Sequence, residues 1–178
     1  LAAGEAVCAA DDVPQRDVLD LVASLVDKSL VTADMARGVA CYRLHETMRE
    51  FARLRLREAG DEVAVEERCV SYFVSRCRSG WEDPRYDLGT WLDWLDLEID
   101  TIRSILRRCI DRGHGALGLG LGLTWSIQGF WATRATTEGV RWLDQLLELG
   151  AAHPEAQARA EYLRGFLAGR VAMSARLT

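Results

Sequence analysis

The chain has no Cys-x-x-Cys pair, no Gly-x-x-x-x-Gly-Lys-Ser/Thr phosphate loop and no apolar run long enough to span a bilayer. Each absence removes a class of protein. Its 5 cysteines (Cys8, Cys41, Cys69, Cys77, Cys109) are odd in number and its 3 histidines (His45, His114, His153) are scattered, so neither a zinc centre nor a disulfide framework is expected. Such thiols fit small residues on apolar faces in a reducing cytoplasm. A membrane helix needs roughly 18 apolar residues without charge, and the longest candidate, 116–132, is broken by glycines and polar residues. The start carries no secretory pattern. Without a phosphate loop these residues cannot by themselves hold a nucleotide as a P-loop enzyme does, and spacing yields no nucleophile–base pair, so no catalytic residue is expected. The balance of 22 Lys+Arg against 27 Asp+Glu, a net −5, argues against wrapping nucleic acid by bulk electrostatics, although a local basic face is compatible with it.

What is present is an ordinary globular composition, 49% hydrophobic and 28% charged, in 178 residues that can build one good core or two small ones. The chain opens on Leu1 and is expected to be a piece of a longer protein. A short helix is expected over 1–10. Asp11-Asp12-Val13-Pro14 should open the next, in which Val18, Leu21, Val22, Leu25 and Val26 form one apolar stripe facing a core. A short strand at 30–32, a polar turn at 33–38 and a returning strand at Val39–Leu44 follow. Thr47 and Glu50 have capping-box spacing. Behind them Met48, Phe51, Ala52 and Leu56 should face inward, with Arg49, Arg53 and Arg57 on another side. Glu46–Arg49 and Glu50–Arg53 pairs fit that helical spacing. Gly60-Asp61 should stop this helix, and 62–78 reads as a connecting one.

The region 80–89, with a proline and two glycines, is the expected linker between a module at 1–79 and a second region at 90–178. There Thr90 with Asp93 should cap a helix to Asp111. Gly113-His114-Gly115-Ala116-Leu117-Gly118 matches Gly-x-Gly-x-x-Gly but follows a helix, so a turn is expected rather than a dinucleotide cradle. In 116–133 Leu117, Leu119, Leu121 and Leu123 alternate with glycines as a strand would, yet the flanking aromatics suit a helix whose small residues admit a close neighbour. Helices at 137–149 and from Pro154 complete two helical pairs. Trp91, Trp94, Trp125, Trp131 and Trp142 read as inter-helix core rather than as a ligand site. The fold class is mainly α: a truncated winged helix with a small β-hairpin, then antiparallel helical hairpins like tetratricopeptide repeats, cut off at the C-terminal end.

The block Val18-Leu19-Asp20-Leu21-Val22-Ala23-Ser24-Leu25-Val26-Asp27-Lys28-Ser29-Leu30-Val31, followed by Tyr42-Arg43-Leu44-His45-Glu46-Thr47-Met48-Arg49-Glu50-Phe51-Ala52, resembles the winged-helix module behind the ATPase domain of bacterial STAND-type regulators. These are NB-ARC-like proteins described as LuxR-family transcriptional regulators or ATPases. Trp91-Leu92-Asp93-Trp94-Leu95 with Glu98, Asp100, Ile102 and Arg103, and later Gly139-Val140-Arg141-Trp142-Leu143, resemble the helical-repeat region of the same proteins.

The resemblance implies a regulatory fragment of a cytoplasmic signal-transduction ATPase. ATP or ADP would sit in a nucleotide-binding domain upstream of Leu1, a protein or small-molecule effector on the helical repeats, and DNA on a region outside these residues. No cofactor within the fragment and no membrane partner are implied. It also implies that His45 contacts the β-phosphate of ADP, with Glu46 where the family carries an aspartate. Read from the residues alone, His45 is a turn residue or a local hydrogen-bonding group. Two other functions stay open: a DNA-binding winged helix acting through Arg49, Arg53 and Arg57, with Arg43 on the wing, and an interaction scaffold without nucleotide coupling.

Overall fold

The computed structural model describes residues 2–10, 13–36, 38–82, 87–151 and 154–176. They gather into two compact units, Leu1–Tyr72 and Phe73–Thr178.

The first unit begins with α1 (Ala2–Cys8) and a 3-10 turn at Gln15–Asp17 preceded by Pro14; α2 then runs over Val18–Asp27. Asp11 and Asp12, expected to open this helix, lie outside the described residues. Helix α2 ends in a Schellman motif. Ser29 takes a left-handed conformation (φ 58°) while its amide donates to Val26 O and that of Leu30 to Leu25 O. That reversal sends the chain directly into β1 (Val31–Ala36), which pairs antiparallel with β2 (Val39–Leu44) from Val31↔Leu44 to Ala36↔Val39. The turn is thus shorter and the first strand longer than expected. Gly38, at φ 78°, allows a two-residue connection that keeps both strands paired to their ends.

Helix α3 (Glu46–Ala59) follows at once and closes on Gly60 (φ 80°) with the same motif: the Gly60 amide donates to Arg57 O and that of Asp61 to Leu56 O. Helix α4 spans Glu62–Glu82, and its Arg68 donates to Val7 O at 2.8 Å, tying it to the end of α1. The units divide within α4, between Tyr72 and Phe73. Of the linker expected at 80–89, residues 80–82 continue α4, 83–86 lie outside the described residues, and Asp87 caps the next helix.

In the second unit α5 (Leu88–Asp111) is capped by Asp87, whose carboxylate accepts from the Thr90 amide at 3.0 Å. The expected cap at Thr90 is therefore corrected: the hydroxyl that looked like a cap supports the true one three residues earlier. A 3-10 turn, Gly113–Ala116, joins α5 to α6 (Leu117–Ser126), so the glycine motif is a helix-to-helix turn. Helices α7 (Gln128–Thr133), α8 (Thr136–Glu148) and α9 (Pro154–Ser174) complete the unit, with α8 packed on α9 and α6 against both.

The Leu–Gly alternation is helical because both of its faces are covered: Leu117, Gly120, Leu121 and Leu123 are all buried. A Cβ on Gly120 would lie 2.7 Å from Leu146 Cδ2, and one on Gly139 2.7 Å from Trp131 Cβ, so these two glycines set close helix contacts. The helix is not continuous to Thr133. At Ile127 (φ −113°, ψ 25°) the ladder breaks, and Trp131 Nε1 donates to Thr124 O at 3.2 Å.

Trp91, Trp131 and Trp142 are buried as expected, while Trp94 and Trp125 are only partly covered. Cys77 and Cys109 are core residues, but Cys8 is exposed and Cys41 and Cys69 are half-buried. Burial pushes the Cys77 thiol up to about 12, so it stays protonated at neutral pH. No helix among the described residues is long and apolar enough to cross a membrane.

Candidate functional site: the hairpin-to-helix junction

The junction is built by β2 running without a loop into α3. His45 keeps the extended backbone of the strand (φ −62°, ψ 150°), and its carbonyl accepts the Arg49 amide at 2.9 Å. It is therefore the N-cap, and its exposed side chain makes no capping bond. This corrects the expected capping box. Thr47 lies one residue inside the helix, and Glu50 is turned to Arg53. The imidazole is thus displayed at a helix end whose first amides have no intrahelical acceptor, a place suited to anions.

Glu46 opens the helix and accepts from Arg49 Nη1 at 2.9 Å. Glu50 accepts from Arg53 at 2.8 Å, and both oxygens of Glu62 accept from Arg57 Nε at 3.0 Å. The basic row read as a possible DNA face is therefore matched carboxylate by carboxylate, and Arg55 is paired with Glu58 at 2.6 Å as well. All these pairs are exposed and worth about 0–1 kcal/mol each, so a phosphate backbone would not be barred, but it would meet a face of alternating sign. Glu46–Arg49 and Glu50–Arg53 follow the expected spacing; Arg57–Glu62 crosses the Gly60 turn, which no spacing rule within one helix gives.

The packing of this unit departs from expectation. Val18 is buried and Val22 and Val26 are half-covered, but Leu21 and Leu25 are 49% and 38% exposed. On α3, Met48, Ala52 and Leu56 are half-buried, whereas Phe51, expected inward, is 55% exposed. One helical step separates Phe51 from the covered row, and no described element lies over it. Tyr42 and Leu44 on β2 are also substantially exposed.

Spacing did not find the best-connected polar cluster, which lies in the second unit. Arg103 of α5 reaches Glu138 of α8 through two bonds, Nε at 2.7 Å and Nη2 at 2.6 Å, and Asp100 at 2.8 Å. Glu138 also accepts from Trp142 Nε1 at 3.0 Å, and the Arg107 guanidinium lies 5.1 Å from the centre of the Trp142 ring. Hydrogen bonding to Arg103 holds the Glu138 carboxyl below the usual carboxylate range. This fork couples two helices, and the members of the repeat-like blocks, Arg103 and Trp142, meet in it. Burial shifts Glu98 on α5 upward. No group of three or more His, Cys, Asp or Glu among the described residues could hold a metal ion.

The class is a mainly α protein with a winged-helix-like hairpin and helix ahead of a helical region. In sequence the chain is similar to proteins named as HTH-type transcriptional regulators in two strains of Mycobacterium tuberculosis and in Mycobacterium bovis. Each is 36% identical over 149 residues, 83% of this chain. The chain spans 17% of the length of these curated relatives. No protein-family model matches it, and neither does any solved structure.

Proposed function

We propose that the chain is a regulatory segment of a cytoplasmic STAND-type transcriptional regulator of the LuxR group, in which the helical region receives an effector and the hairpin–helix unit answers to a nucleotide-binding domain. The observation that carries this reading is the similarity itself: it takes in 83% of this chain yet only 17% of proteins named as transcriptional regulators. DNA contact in the whole protein then falls outside these residues, in keeping with the carboxylate-matched arginines of α3. The exposed Leu21, Leu25 and Phe51 support the relay, because an apolar surface of this kind is what a neighbouring domain covers. The helices α5–α9 act as tetratricopeptide-like hairpins, and ATP or ADP is the ligand of the neighbouring domain, where any ATPase activity resides.

In this scheme His45 donates to a phosphate oxygen of ADP in the closed state, with Glu46 holding Arg49 beside it. A charge-assisted bond of this type is worth about 1.5–3 kcal/mol, or roughly ten- to hundredfold in ADP affinity. Because the contact exists only in the closed state, losing it raises basal signalling. His45→Ala in the intact protein is expected to speed ADP release by that factor without unfolding it, measured by stopped-flow with a fluorescent ADP. An unchanged release rate in a folded variant overturns the sensor role.

A further inference from the structure

A cavity of about 560 Å³ opens in the second unit between the end of α4, α6 and the start of α9, within the size range of small-molecule sites. Its wall combines an aromatic plate with two cations. Trp125 supplies the indole, half-buried and tilted against Tyr162 with ring centres 6.4 Å apart. Arg159 stands over that indole at 5.7 Å and is held by Glu155 at 2.6 Å. Arg78 enters from α4, and no carboxylate among the described residues pairs with it. Its Nη2 lies 3.9 Å from where a Cβ on Gly122 would be, so the missing side chain is what leaves room below the guanidinium. Ser126 lines the same wall with its hydroxyl donated to Gly122 O at 2.9 Å, which leaves oxygen lone pairs but no spare proton for a ligand.

Among the described residues, two guanidinium groups against one carboxylate leave one net positive charge at the cavity, in a chain whose total is −5. A neutral ligand would gain from the indole alone. A flat ring carrying an anionic group would gain from both: its ring stacks on Trp125, and its carboxylate or phosphate takes the fork of Arg78.

We infer that this cavity binds a small planar organic anion. The inference deepens the proposed function by giving the class of effector, and only its regulatory consequence rests on that reading.

The test uses the 178-residue chain and calorimetric titration with naphthoate against naphthamide, and naphthyl phosphate against naphthol. At least one anion should bind about tenfold or more tightly than its neutral partner, and the preferred one names the head group. Arg78→Ala and Arg159→Ala should each lose about tenfold. Gly122→Leu, at a helical position where a Cβ would meet only the end of the Arg78 side chain at 3.9 Å, should abolish binding while the melting temperature holds. Equal affinity for charged and neutral rings, no binding of either anion, or binding that survives the double arginine variant overturns the site. Whether the bound anion then changes ADP release in the intact protein is a separate readout. Binding without an effect on release keeps the site and removes the regulatory reading.

Discussion

Apart from Val18 and Val31, every buried hydrophobic residue among those described lies at or beyond Phe73. The two units thus solve the same problem differently. The second surrounds Leu95, Ile102, Leu106, Trp131, Leu143 and Leu163 completely, with glycines at 120 and 139 drawing its helices together. The first has equally clean amphipathic helices, yet leaves Leu21, Leu25, Phe51, Leu54 and Val63 outside. Hydrophobic periodicity specifies which face of a helix wants cover, and a separate element must supply it.

The sharpest way to break this contrast is truncation of one aromatic in each unit. Trp131→Ala empties a fully buried position and should cost about 3–5 kcal/mol in urea denaturation, whereas Phe51→Ala in the same chain should cost under about 1 kcal/mol. Comparable losses would mean that the first unit holds a core as complete as the second. Overpacking comes next. Gly139→Leu drives a side chain into Trp131 and should cost about 1–3 kcal/mol, read from the shift in denaturation midpoint.

Smaller effects of opposite sign are expected at the two matching helix ends of the first unit. Ser29→Gly relieves a left-handed serine and should stabilise by about 0.5–1 kcal/mol; Gly60→Ala imposes the same strain and should destabilise by about 1 kcal/mol. Thermal melts of both variants decide it.

The smallest effect is one of pH. The folded state lowers the pKa of Glu138, so its stabilising contribution is complete above the unfolded value of about 4.3 and is lost as pH falls through the folded value. With side chains 38% and 29% exposed, the pair should contribute within the roughly 0–1 kcal/mol of such ion pairs. Glu138→Gln should flatten the acid limb of the stability curve of the second unit, and an unchanged limb would remove Arg103–Glu138 as a stabilising link.

The elements that were legible in the sequence were those with one strong period and a local stop signal. Val39–Leu44 alternates and abuts a helix, and α8 carries Val140, Leu143, Leu146 and Leu147 ahead of Gly150. Helix starts were less legible: Thr47 and Thr90 have the chemistry of caps, but the residue with extended backbone just before each helix is His45 or Asp87. The length of the hairpin depended on the left-handed glycine at 38, whose position was legible but whose turn type was not.

At the candidate site, Glu46–Arg49 and Glu50–Arg53 followed from spacing, because both partners lie on one helix. Arg57–Glu62, Arg103–Glu138 and the convergence of Arg78 and Trp125 on one cavity involve different helices, and nothing local marks them. Phe51 shows the remaining limit. Its period placed it beside a covered row, and coverage is a property of what lies opposite.

Amide hydrogen exchange measured by mass spectrometry, on the 178-residue chain and on the intact protein with ADP, tests the relay most directly. If the proposed nucleotide-binding domain covers the apolar faces of α2 and α3, exchange in those helices slows by at least about tenfold in the intact protein with ADP, while α5 to α8 exchange equally slowly in both. Equal exchange of α2 and α3 in the two proteins would contradict the account, because those faces would then have no nucleotide-dependent partner to report.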